Sequence, residues 1–260
     1  MAVIKALRRS PGALLGTPGL VVPAIVLFLF QVPQLVLQSS HPLLASLVSL
    51  GGSLLLLVFV PFFQGGMVGM ADEALDGRSS LGTFLAAGKA NYLQILIAYV
   101  LILVVNAVLG GILFVAGFGA LLSGVLELGT AALAVLGIVA AVVALVYLLI
   151  AFFIQFYAQA IVLEGDSAIE GLKRSYGVVR SNLLATAGYM VVAFLVSGVL
   201  GVVFGGLSLL TTPETATTLG LPALSTGAIL AVALAMTVVG AAISAFLLVY
   251  SVAFYRLIAR

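Results

Sequence analysis

A chain of 260 residues with 64% hydrophobic and only 7% charged side chains lies far from soluble domains, in which about a quarter of residues carry charge. Together with a mean hydropathy of +1.38, this makes it an integral membrane protein. Ten basic and eight acidic residues, dispersed beside apolar runs, form no continuous phosphate-binding surface and exclude nucleic acid as a partner; the absence of cysteine excludes disulfides, thiolate metal sites and cysteine nucleophiles.

In chain order, Lys5, Arg8 and Arg9 stand among Val3, Ile4 and Leu7 in a short basic amphipathic segment, residues 1–17, ended by Pro11 and suited to surface anchoring. The apolar run from about Gly19 to Gln38 lacks the small-residue cleavage site of a signal peptide, so it is read as a first membrane span. Pro23 and Pro33 should kink it, and Gln31, Gln34 and Gln38 share one face of its outer half. Past the turn at His41 and Pro42, a second span runs from Leu43 to about Gln64 and continues as helix beyond Pro61 to Met70. It delivers the chain to Asp72, Glu73, Asp76 and Arg78. Ser79 to Ala90 is expected as a short elbow, with Leu81, Phe84 and Leu85 on one side, before a third span from Asn91 to Ala116.

After a connection holding Glu127, the fourth span extends from Ala131 to about Gln155 and is long enough to project as far as Val162. Glu164 to Asn182 is the densest run of charge. Ser167 stands three residues before Glu170, the spacing of a capping box, which fixes a helix start. Ile169, Leu172, Tyr176 and Val179 then recur on one predicted face. Glu170, Lys173 and Arg174 take the other, with Glu170 one turn before Arg174 in the favourable order for an ion pair. A fifth span covers Leu183 to Leu210, a polar loop holds Glu214, and a sixth span from Ser225 to Tyr250 leads to Tyr255, Arg256 and Arg260. The expected fold is all-α: a polytopic membrane protein of six transmembrane helices with two cytoplasmic in-plane elbow helices. It forms a single membrane domain over 1–260.

With the N-terminus inside, Lys5, Arg8, Arg9, Arg78, Lys89, Lys173, Arg174, Arg180, Arg256 and Arg260 all fall on the cytoplasmic side. One missed span would distribute them across both sides. The partition therefore supports six spans, both termini in the cytoplasm, and insertion in the cell membrane. The two charged turns also resemble each other. Gly77-Arg-Ser-Ser-Leu aligns with Gly165-Asp-Ser-Ala-Ile, Lys89-Ala-Asn with Arg180-Ser-Asn, and Phe62-Phe63-Gln64 with Phe152-Phe153-Ile154-Gln155. Residues 43–117 and 130–210 are accordingly expected to be two parallel repeat units, followed by 225–260 as the last span and C-terminus. In this register Gly82 stands where the second copy has Glu170.

Phe156 to Gly165 (FYAQAIVLEG), Ser167 to Ser175 (SAIEGLKRS) and Arg180-Ser181-Asn182 resemble the signature of the six-span domain that accompanies some glycerophosphoryl diester phosphodiesterases, and of related multipass proteins of archaea and bacteria. The resemblance implies a compact helical membrane domain. It does not bring the phosphodiesterase reaction with it, since that chemistry belongs to a separate soluble barrel.

No ionisable residue falls within a span core, where ion-coupled transporters and membrane enzymes place them. His41 alone cannot build a closed metal site, and no GxxxxGK[ST], HExxH or GxSxG motif occurs. Neither an enzyme activity nor a cofactor is expected. Asp72, Glu73 and Asp76 read as a solvated turn in preference to a divalent-cation site. Lys173, Arg174, Arg180, Lys89 and Arg78 are candidate contacts for lipid headgroups, anionic ones in particular, or for a partner, whether another membrane protein or a second copy of the chain. Gln31, Gln34, Gln38, Asn106, Gln155 and Gln159 are candidates for lining a polar cavity, against the alternative of ordinary interhelical hydrogen bonding. The leading expectation is a noncatalytic domain that organises lipid or partner proteins at the cytoplasmic face. The alternative is a permease for a neutral or amphiphilic solute.

Overall fold

The computed structural model describes residues 2–30, 42–122, 130–211 and 225–260. Gln31, Gln34, Gln38, His41, Glu127 and Glu214 lie outside them. The described chain folds into helices joined by short turns: α1 (Ala2–Gly16), a 3-10 turn (Pro18–Leu20), α2 (Val21–Leu29), α3 (Pro42–Ala74), α4 (Leu81–Leu122), α5 (Thr130–Ile154), α6 (Tyr157–Glu164), α7 (Ala168–Ser181), α8 (Leu183–Thr211) and α9 (Thr226–Ile258). Five of these segments are long and apolar enough to cross a membrane, and six are if α1 and the bent segment after it count as one span. The protein is therefore an all-α polytopic membrane protein.

Three expectations change in detail. Pro11 does not end α1; its ring lies on the outward face, and the helix runs on to Gly16. The break comes at Thr17, whose φ of −137° leaves the helical region because Pro18 follows it, and Pro18 then opens the 3-10 turn. Residues 2–16 and 18–29 meet there at 96°. Ser79 to Ala90 is no separate elbow, since Leu81 begins a helix that continues through the third span to Leu122. The fourth span is interrupted at Gln155 and Phe156 before resuming as α6.

The chain clusters into two compact units, Met1–Tyr92 with Asn182–Arg260, and Leu93–Ser181. In the first, α9 is the central helix and packs on α1, α2, α3 and α8. A third of its most apolar stretch is buried (33%), against 6% to 11% in the other four spans, whose apolar surfaces face outward. The core collects toward its C-terminal end, where Val249, Tyr250, Val252, Phe254 and Tyr255 are buried. Tyr189 of α8 stacks on Tyr250 and Phe254 at 4.9 and 4.8 Å between ring centroids. Glycines set the spacing of α3 and α4: a Cβ on Gly66 would lie 2.6 Å from the Phe84 carbonyl oxygen, and one on Gly88 would lie 3.0 Å from that of Phe62. Phe62 and Phe63 close over Phe84 edge to face at 5.5 and 5.3 Å.

In the second unit, α7 packs against α5 and α6. Gly165 ends α6 in the left-handed region at φ +74°, which glycine adopts without a Cβ penalty. The Gln94 side-chain oxygen accepts from the Ala168 N–H at 2.9 Å, so α4 satisfies a free donor at the start of α7.

Candidate functional site

The charged segment 164–182 folds as its local spacing requires. The Ser167 N–H and hydroxyl both donate to the Glu170 carboxylate, at 3.2 and 2.8 Å, and Glu170 N–H faces the Ser167 oxygen at 3.5 Å, a reciprocal capping box. These bonds hold the Glu170 carboxyl below its ordinary range, the Ser167 hydroxyl contributing most. Arg174 reaches back to Asp166 through Nε and, at 3.2 Å, through Nη2. Its salt bridge is thus to Asp166, while Glu170, the expected partner one turn away, serves the cap.

Of the four apolar residues predicted to share a face of α7, only Val179 is fully buried. Ala168, Gly171, Ser175 and Val179 are buried, whereas Ile169 and Tyr176 are 56% and 46% exposed. The small residues face inward because α6 lies close: a Cβ on Gly171 would come within 2.6 Å of Ile161. Ser175 performs a specific task on that face. Its hydroxyl donates to the Phe153 carbonyl at 2.8 Å and accepts from Phe156 N–H at 3.0 Å, satisfying both sides of the break between α5 and α6. Leaving buried groups of this kind unpaired costs about 1 to 3 kcal/mol each.

With the small face inward, Ile169, Lys173, Tyr176 and Arg180 fall along one exposed stripe, at the three- and four-residue spacing that keeps side chains on the same side. Lys173 and Arg180 have no salt bridge among the described residues, so the stripe presents two uncommitted cations between two apolar side chains. The stripe thus alternates apolar and basic side chains along one exposed line of α7. In the other unit α1 has a similar outward face. Ala6 and Ser10 are buried, and Ile4, Lys5, Arg8, Arg9 and Leu15 are exposed.

The acidic turn after α3 is occupied from within. Arg256, in the last turn of α9, donates to Asp72 Oδ1 at 2.6 Å and the Asp72 carbonyl at 3.0 Å. It also forms a fork to Asp76 at 3.1 and 3.2 Å. The guanidinium holds the Asp76 carboxyl below its ordinary value. Both carboxylates are thus paired with Arg256, with the Asp76 side chain still largely exposed. Glu73 accepts from Ser80 N–H at 3.2 Å, and Ser80 caps α4 by accepting from Thr83 N–H at 3.0 Å. The cap is thus Ser80, with Thr83 three residues after it. Among the described residues no three carboxylates or histidines converge on a metal position.

Lys89 lines an apolar groove of about 450 Å³ with Val58, Phe59, Phe62, Phe63 and Tyr92, and Arg78 is exposed in the turn after Gly77. Among the described residues, the candidates Asn106, Gln155 and Gln159 do not line one common groove. Asn106 lines a second, almost wholly apolar groove of about 200 Å³ with Tyr147 and Leu172. Gln155 donates to the Phe152 carbonyl at 2.8 Å, and Gln159 is buried in α6; neither lines that groove. Sequence reasoning missed the Arg256 clamp and the Ser175 bridge. Their partners lie 184 and 22 residues away along the chain.

A family profile described as "Domain of unknown function (DUF7847)" matches residues 1–258, and the chain belongs to that family. No curated protein and no solved structure matches it.

Proposed function

We propose that this member of the DUF7847 family is a noncatalytic multipass domain of the cell membrane that gathers anionic lipid at its cytoplasmic face. The observation that carries this reading is the outward stripe Ile169, Lys173, Tyr176 and Arg180, whose two cations have no salt bridge among the described residues. Each such cation adds about 1 kcal/mol of attraction to an anionic leaflet. Arg174 belongs to the scaffold through Asp166, so the lipid contacts of this helix reduce to Lys173 and Arg180. The charge partition of the sequence supports placing both termini in the cytoplasm.

The two positive-φ glycines of the described chain, Gly77 and Gly165, support the repeat reading, since they stand at the aligned positions of the two turns. The resemblance to the domain that accompanies phosphodiesterases agrees with a supporting role and brings no reaction to this chain. A partner protein or second copy would compete for the same stripe.

The test is lipid recovery. The double variant K173E/R180E, purified from a mixed bilayer, should retain about thirtyfold less excess anionic phospholipid than the parent, as two contacts of about 1 kcal/mol imply. Unchanged recovery would remove the proposal. If the excess were instead unchanged while a protein partner was lost, the stripe would be a protein interface.

A further inference from the structure

We infer that the groove between α3 and α4 is a binding site for one acyl chain of an anionic phospholipid, with Lys89 receiving the phosphate. This deepens the lipid reading above and rests on it for the choice of ligand.

The chemistry changes along the groove in the order a phospholipid requires. Lys89 and Tyr92 stand one turn apart on α4, just before the predominantly apolar stretch that begins at Ile95. A lysine and a tyrosine at that point mark the level of the headgroups. On α3 the stripe Phe63, Phe62, Phe59, Val58 leads away from this level along a membrane-spanning helix, becoming wholly apolar. Val58 and Phe59 are exposed at 49% and 44%, so the inner end opens to the surroundings of the span.

The groove is also built. Phe62 lies against Gly88, where a Cβ would meet its ring at 2.9 Å, and Phe62 and Phe63 are braced edge to face by Phe84. Its floor is therefore fixed by packing within the protein. Lys89 makes no salt bridge among the described residues, unlike Arg256 and Arg174, which are committed to aspartates. One uncompensated cation at the mouth of an aromatic trough is complementary to a single negative headgroup with its chain extended along the rings. A neutral headgroup leaves that charge unanswered.

The experiment uses the full chain reconstituted with matched phosphatidylglycerol and phosphatidylcholine, followed by native mass spectrometry after detergent stripping. The parent should retain one phosphatidylglycerol. Lys89→Ala should bind it about fivefold more weakly, the equivalent of about 1 kcal/mol for one cation. Val58→Trp, which fills the inner groove and leaves Lys89 intact, should abolish retention. Both substitutions are at exposed positions, and an unchanged melting temperature confirms folding. Retention of phosphatidylcholine to the same extent, or full retention by Val58→Trp, overturns the inference. K173E/R180E separates the two proposals. If it keeps the single tight lipid but loses the broader anionic excess, both stand. If the excess also persists, the stripe reading falls and the groove remains.

Discussion

Gly66→Ala should destabilise the protein by about 3 kcal/mol, the upper end of what an added methyl costs in a tightly packed site. The new Cβ would lie 2.5 Å from the Phe84 ring and 2.6 Å from the Phe84 carbonyl oxygen. The ring can rotate, but the carbonyl belongs to the backbone of α4, so α3 and α4 must separate. Separation undoes the edge-to-face contacts of Phe62 and Phe63 with Phe84 and loosens the floor of the groove beside Lys89. Thermal unfolding in a fixed detergent measures the effect. Gly177→Ala is the control: with nothing within 4 Å of its Cβ, it should be neutral or stabilising by up to about 1 kcal/mol through helix propensity.

Arg256→Ala should cost about 2 kcal/mol. Its side chain is 31% exposed, as is that of Asp72, which places the cluster between surface pairs worth under about 1 kcal/mol and buried pairs whose rupture costs about 3 to 5 kcal/mol. Removing the guanidinium leaves two carboxylates facing the C-terminal carbonyls of α3, where the helix dipole also disfavours negative charge. Arg256→Lys should recover only part of the loss, because an ammonium cannot make the planar fork to Asp76 while also reaching Asp72. The pH dependence has a defined sign. The Asp76 pKa is depressed from 3.8 by Arg256, so its contribution is fully present above that value and is lost as pH falls below it. Acid unfolding of the parent should therefore steepen below about pH 4, and Arg256→Ala should blunt that component.

How much of this was legible in the sequence depends on the range over which each interaction acts. Membrane spans are written in composition, so their number and approximate limits follow from hydropathy. The capping box at Ser167 and Glu170 is a three-residue relation and appears where the spacing places it. The inward face of α7 was hidden because Ala168, Gly171 and Ser175 carry little hydropathy; they are buried for their small size and, in Ser175, for a hydroxyl that bridges a helix break. The outward position of Ile169 and Tyr176 follows from the same cause, since in a bilayer the apolar side chain can face lipid and the small one face protein. Arg256 was counted as a topology charge because nothing local ties it to Asp72, 184 residues away. The groove at Lys89 depends on Phe62 closing over Gly88, a contact between two helices that each read only as apolar.

The proposal that the stripe on α7 gathers anionic lipid can be tested by proximity. The chain contains no cysteine and no tryptophan, so Tyr176→Cys labelled with a fluorophore is a single reporter without background. It should be quenched more strongly by spin-labelled phosphatidylglycerol than by phosphatidylcholine carrying the same label, and K173E/R180E should erase the difference. Equal quenching by the two lipids in the otherwise unaltered protein would contradict the account.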